Sequence, residues 1–250
     1  MKTAVIIFGA LRQADLCAPT WKFPFPVDYH LVTWDFTQQA QCSLRYPSTN
    51  DLDLLKATEI KFETVTVLPY KEFLANWPSH HYGSRMIYHL YVVAQLLKNY
   101  NYERVIAIRN DLFLFPRIEL TAELFDIKEH EVFVDGGDFS KNLVNDWLFM
   151  TRWNSFQKLA MTFEKLIDMP KWRQGQRIDI HEDLYHLLLI DGLTLVHQKL
   201  FETAIARPNS RIHRGEPPSM ELLWTISKEF DIWREMTTGH PGWHPHGTVF

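Results

Sequence analysis

Cysteine is scarce: Cys17 and Cys42 are the only two in 250 residues. Neither stands in a Cys/His spacing that zinc requires, and the pair has no redox spacing. This favours a reducing compartment or indifference to redox. Long apolar runs are absent, since no stretch approaches ~18 uninterrupted apolar residues, so no membrane span is expected. An excess of positive charge is absent too. The net charge of −4 removes the electrostatic case for nucleic acid or an anionic membrane surface. No Gly-x-Ser-x-Gly elbow and no Gly-x-x-x-x-Gly-Lys phosphate loop occurs. There is no internal repeat and no linker long enough to divide the chain. A single domain over residues 1–250 is expected, with a flexible Gly/Pro/His tail from about residue 236.

What is present is a globular composition, 46% hydrophobic and 22% charged. A chain of this length buries roughly three quarters of its unfolded surface and needs no staples. Aromatics reach 14%, with nine Trp, enough for a core and for stacking on sugars or bases. Thr3 to Leu11 has the apolarity of a weak signal-peptide core. Arg12, Gln13 and Asp15 follow without a small-residue cleavage site, so a buried first strand is the better reading. A cytoplasmic location is expected.

Strands and helices alternate, which gives an α/β class. Strands are expected at Ala4–Phe8, Asp28–Trp34, Thr64–Leu68, Val105–Ile108, Glu131–Val134, Trp147–Met150 and, as the last, Thr194–Val196. Helices are expected at Leu52–Lys56, Met86–Tyr100 with an N-cap at Ser84, Leu120–Asp126, Asn154–Met169, Asp183–Ile190 and Met220–Phe230. Residues 39–50 and 207–218 read as loops.

The chemistry centres on Tyr102 to Phe115, YERVIAIRNDLFLF. The apolar run suits a strand buried on both faces. Arg109, Asn110 and Asp111 follow it at once, and a charged triplet between apolar runs is costly to bury unless paired. Ligands of open α/β sheets bind just beyond strand carboxyl ends. Asp111 there is sited to hold a hard cation on phosphate oxygens. The same residues also read as a structural Arg109–Asp111 ion pair. Gly9, after the first strand, permits close backbone approach, and Arg12 offers a phosphate partner.

The order of these motifs resembles the nucleotide-sugar-dependent glycosyltransferases of GT-A fold, closest to bacterial and large-virus members. The resemblance rests on Gly9-Ala-Leu-Arg12, on Val27-Asp28 through Thr33-Trp34, and on Val105 to Phe113. It continues with Asp146-Trp-Leu-Phe149 and the acidic pair Glu182-Asp183, and so covers most of residues 1–195. It implies a single Rossmann-like GT-A domain, with a mostly parallel mixed sheet flanked by helices. It implies a hexosyl- or pentosyltransferase that takes a UDP- or GDP-linked sugar to a hydroxyl of a glycan or glycoconjugate. Gly9, Arg12, Trp34 and Arg109 would bind the donor. Asp111 and His213 would hold Mn²⁺ or Mg²⁺, with His197 behind His213. Asp183 would be the base of an inverting reaction, with Glu182 and Asp146 as the other candidates. Asp146 also reads as a ligand of the donor sugar or a plain strand start. Asp135-Gly136-Gly137-Asp138 reads as a loop at the donor sugar or a hairpin turn.

The metal motif of the family is usually Asp-x-Asp, and here only one carboxylate stands in the triplet. Donor phosphates would then supply much of the coordination, or Arg12 and Arg109 would stabilise the leaving group without metal. Two other functions fit the class: a nucleotidyltransferase, though GALRQ lacks the expected glycines, and a nucleotide- or carbohydrate-binding module without catalysis. Asp111→Asn is expected to weaken donor binding while the fold survives.

Overall fold

The computed structural model describes residues 1–11, 14–35, 51–76, 82–135, 139–168 and 180–205. The expected loops at 39–50 and 207–218, the helix at 220–230 and the tail lie outside them. In chain order the described elements are β1 (Thr3–Phe8), α1 (Ala14–Cys17), β2 (Asp28–Trp34), α2 (Asp51–Lys56), β3 (Phe62–Leu68), α3 (Tyr70–Asn76) and α4 (Tyr82–Leu96). Then come β4 (Arg104–Arg109), β5 (Leu112–Pro116), β6 (Glu131–Val134), β7 (Leu148–Arg152), α5 (Trp153–Asp168), α6 (Ile180–Ile190), β8 (Thr194–His197) and β9 (Phe201–Ile205).

Seven strands form one sheet in the order β3-β2-β1-β4-β7-β6-β8, and β5 pairs with β9 in a small second sheet. All strands of the large sheet run one way except β7, which is antiparallel to both β4 and β6. The class is therefore α/β with a mostly parallel mixed sheet, compatible with a Rossmann-like arrangement.

Alternation along the central strands divides the core in two. Ala4, Ile6 and Phe8 of β1 and Val105 and Ala107 of β4 face the apolar stripes of α4, α5 and α6. Those stripes follow helical spacing: Ile87, Leu90, Val93 and Ala94 on α4, and Phe156, Leu159, Ala160 and Phe163 on α5. Val5 and Ile7, with Ile106 and Ile108, face the opposite layer of α1, α2 and β5. Strands covered on both sides must be apolar at every position, which is why AVIIF and VIAI read as continuous runs. At the sheet edge, β3 instead alternates exposed Glu63, Val65 and Val67 with half-buried neighbours.

Two interlocks hold the second layer. Trp21 Nε1 donates to the Leu112 carbonyl at 2.7 Å. The Thr20 hydroxyl donates to the Cys17 carbonyl at 2.7 Å and accepts from the Leu114 amide at 3.0 Å.

Several boundaries differ from expectation. The helix expected at Met86–Tyr100 begins at Tyr82, so Ser84 is a buried residue inside it rather than its cap. It ends at Leu96, and a turn follows in which the Tyr100 amide donates to the Leu97 carbonyl at 2.9 Å. Helix α3 is additional; it starts directly after Pro69, and the Phe73 amide donates to the Pro69 carbonyl. Leu120–Asp126 contains only a short 3₁₀ turn. Thr194–Val196 is not the last strand, because β9 follows and pairs with β5. Ile190, expected on the apolar face of α6, is 73% exposed, whereas Leu184, Leu187 and Leu188 are buried as expected.

The fold carries a pH dependence of its own. His30 on β2 is fully buried, with Nδ1 2.9 Å from Thr64 Oγ1 and Nε2 2.7 Å from the Tyr102 hydroxyl. Tyr102 donates its proton to Asp28 at 2.9 Å, so its oxygen accepts from Nε2–H and Thr64 donates to Nδ1. This network holds a neutral ring. Burial pushes His30 down to about 4, against an opposing pull from Asp28. Burial likewise pushes His89, packed on Trp34, down to about 3. Between the ordinary histidine value of 6.5 and about 4 the unfolded chain therefore binds more protons than the folded one. Stability is fully present above that window and is lost as pH falls through it. The melting temperature should hold above about pH 7 and fall steadily toward pH 4. A melting temperature flat from pH 7 to 4.5 would refute this.

Candidate functional site

The sheet order makes β1 and β4 neighbours, with β2 and β3 to one side and β7, β6 and β8 to the other. Chain direction across the sheet therefore reverses between β1 and β4. The carboxyl ends of the strands at such a switch point are the usual ligand position in open α/β sheets.

Gly9 and Asn110 follow β1 and β4 at this switch point. The Asn110 amide donates to the Phe8 carbonyl at 2.9 Å, and the Gly9 amide donates to the Val32 carbonyl at 3.2 Å. Gly9 has φ +115°, a left-handed conformation that side chains resist. A Cβ there would also come within 3.0 Å of Met86 Cε.

Arg109 and Asp111 are joined across the turn that ends β4. Arg109 Nε donates to Asp111 Oδ1 at 2.5 Å and Nη2 to Oδ2 at 3.0 Å, a bidentate pair. Asp146 Oδ1 lies 3.8 Å from Arg109 Nη1, and the guanidinium stands 5.9 Å from the centre of the Trp147 ring. Burial alone would pull the guanidinium down. Asp111, with a smaller contribution from Asp146, outweighs it and holds the group above its ordinary value. The cation is therefore permanent. The ion pair read from the triplet is present, with Asp146 as a third member.

Asp146 comes to this edge because β7 runs antiparallel, so its start meets the carboxyl end of β4. The Arg109 amide donates to the Trp147 carbonyl at 2.8 Å. Asp135 ends β6 at the same edge. Its Oδ1 accepts from Gln198 Nε2 at 2.9 Å, and Oδ2 accepts from the Thr203 hydroxyl. Gln198 Oε1 in turn accepts from the amides of Leu200 and Phe201. Asp135 thus ties β6 to the turn before β9. The rest of the DGGD segment, residues 136–138, lies outside the described residues.

Helix α6 delivers the acidic pair. The Val144 amide donates to the His181 carbonyl at 3.3 Å, and His181 Nδ1 is 2.7 Å from the Val144 carbonyl. This fixes the helix start two residues from Asp146 in the chain. The two acids then diverge. Asp183 is fully buried, whereas Glu182 is turned outward, 3.9 Å from His186 one helical turn on.

Other expected residues lie elsewhere. Trp34 is buried among Tyr70, Phe73, Tyr88 and His89, where it serves the core between β2 and α4. His197 ends β8 and stacks on Phe139, with ring centres 3.8 Å apart. Arg12 and His213 lie outside the described residues. Sequence reading did not single out Asn110 as a site residue, nor Gln198. Asn110 had a signal, being a polar side chain between two charged ones at a strand end; Gln198 had none.

Mg²⁺ commonly takes one or two carboxylates and completes its shell with substrate phosphates and water. Asp111 and Asp146 are the carboxylates nearest that position, and both pair with Arg109. Among the described residues no three His, Cys, Asp or Glu side chains gather as a metal site. No helix among the described residues is long and apolar enough to cross a membrane. No protein-family model matches the chain, and no curated protein matches it.

Proposed function

We propose that this chain is a GT-A-type glycosyltransferase that moves a sugar from a UDP- or GDP-linked donor to a hydroxyl of a glycan or glycoconjugate. One observation carries the reading. Of the four buried carboxylates among the described residues, Asp111, Asp135 and Asp146 stand at one edge of the sheet, and Asp183 is on the helix whose start is bonded to Val144, two residues before Asp146. Burying carboxylates is expensive, and core packing alone gives no reason to gather them at the ligand edge.

The roles divide by position. Arg109 has five N–H donors, of which Asp111 occupies two, so others remain for a phosphate oxygen. The charge that develops on the departing diphosphate would meet this fixed guanidinium. Two carboxylates around one guanidinium leave the cluster with a net negative formal charge. A diphosphate therefore needs more positive charge than Arg109 supplies. Mn²⁺ or Mg²⁺, held by Asp111 and Asp146, would neutralise phosphate charge. Asp146 then belongs to the donor side, and Asp183 takes the acceptor proton as general base.

UDP or GDP at millimolar concentration should raise the melting temperature, and more so with Mn²⁺ or Mg²⁺, because a ligand of the folded state stabilises it. Turnover with a panel of nucleotide sugars then separates the three functions. Release of free nucleotide diphosphate supports transfer, release of pyrophosphate from a nucleoside triphosphate supports a nucleotidyltransferase, and binding without turnover supports a binding module. No shift with any nucleotide and either metal refutes the donor site.

A further inference from the structure

Asn110 is 1% exposed, and its Nδ2 is enclosed without a hydrogen-bond partner. Leaving a buried amide nitrogen unpaired is costly, so such a group calls for an explanation. Core packing offers none, since an aliphatic side chain would fill the same space without the penalty. The position offers one. Nδ2 is 3.5 Å from where a Gly9 Cβ would stand, at the switch point between β1 and β4. What closes over Gly9 is the end of Met86, whose Cε and Sδ are 3.0 and 3.6 Å from that same point. A methionine tip is flexible and apolar, and can swing aside at small cost.

We propose that Asn110 is a ligand-binding residue, and that its amide donates a hydrogen bond to an acceptor oxygen of the bound nucleoside diphosphate once the Met86 tip moves off Gly9. This rests on the donor-site reading above and adds a binding group to it. The triplet then works on both sides of β4. Arg109 lies toward Trp147 in the second core layer, while Asn110 lies toward Met86 on α4. A ligand across the switch point meets a charge on one side and a neutral amide on the other. The glycine at position 9 belongs to the same device: any side chain there would fill the space that the ligand and the methionine exchange.

The test compares wild type with Asn110→Leu and Asn110→Ala, by titration calorimetry and urea unfolding. UDP, GDP, uridine and inorganic pyrophosphate are the probes, each with Mn²⁺. Both variants should bind the preferred diphosphate about tenfold or more weakly, the worth of one hydrogen bond of ~1.4 kcal/mol. Asn110→Leu should be at least as stable as wild type, because it removes an unpaired buried donor. Loss confined to UDP or GDP and uridine assigns the acceptor oxygen to the nucleoside; loss that extends to pyrophosphate assigns it to the phosphates. Unchanged affinity in both variants overturns the proposal while leaving the donor site intact. So does a less stable Asn110→Leu whose folded fraction binds normally, since Asn110 is then structural. If wild type binds none of the probes, the donor reading fails and this one falls with it.

Discussion

Asp183→Asn is expected to cut sugar transfer by at least about a hundredfold and to leave donor affinity nearly unchanged. The substitution keeps the shape of the side chain and removes its basicity. Helix α6 gives reason to expect a rigid base. Leu184, Leu187 and Leu188 are buried in the first core layer, and His181 is bonded to Val144 in both directions. A carboxylate on the first turn of such a helix has little freedom, and fixed position is what general-base catalysis needs. The divergence of the pair sharpens the test. Glu182 points outward toward His186, so Glu182→Gln should change turnover less than about threefold. Initial rates and calorimetry on the two variants decide between them. Equal losses in donor affinity and turnover for Asp183→Asn would move that residue into the donor site. Near-normal turnover would pass the base role to Asp146 or point to a retaining mechanism.

Asp111→Asn is expected to cost about 3 kcal/mol of stability, as the loss of one partner of a buried ion pair does. The sequence alone led to the expectation that the fold survives this change. The geometry adds a cost in stability. Asp111 is 2% exposed and occupies two of the Arg109 donors, so its removal leaves a buried guanidinium with only Asp146 at 3.8 Å. The low end of the range applies because that second carboxylate remains and because Asn can still accept one bond. The same variant should lose the extra thermal stabilisation that Mn²⁺ adds to the nucleotide, while metal-free nucleotide affinity changes less. Urea unfolding gives the first quantity and melting curves with and without metal give the second. If stability falls but the metal increment is intact, the ion pair is structural and the metal sits elsewhere. If stability is unchanged, the pair contributes nothing to the folded state.

The central strands were legible because burial on both faces forces every residue to be apolar, so AVIIF and VIAI announce themselves. Helix α5 was legible for the complementary reason, an apolar stripe bounded by Pro170. The start of α4 was not. Ser84 has the chemistry of a cap, but the helix starts two residues earlier, at Tyr82, and Ser84 is buried within it. The pairing of β5 with β9 joins segments about ninety residues apart, and nothing in either segment encodes its partner. The site divides in the same way. Arg109 and Asp111 are two residues apart, so their pairing could be read from spacing. That Asp146 joins them depends on β7 entering the sheet backwards, which is a property of topology and not of any motif. Trp34 shows the converse: a residue that matched a motif is held by an aromatic cluster.

The interlock of Thr20 and Trp21 with β5 bears on how a ligand is received. The segment that leaves β1 is fastened by its hydroxyl and indole to the strand that leaves β4, at Leu114 and Leu112. These two segments follow the strands on either side of the switch point, and they are bolted to each other before anything binds. Their ordering entropy is then already spent in folding, and association with them carries no further charge for it. Recognition there should behave like a key meeting a cut lock. Adaptation is left to the opposite layer, where α4 offers the long, soft side chain of Met86.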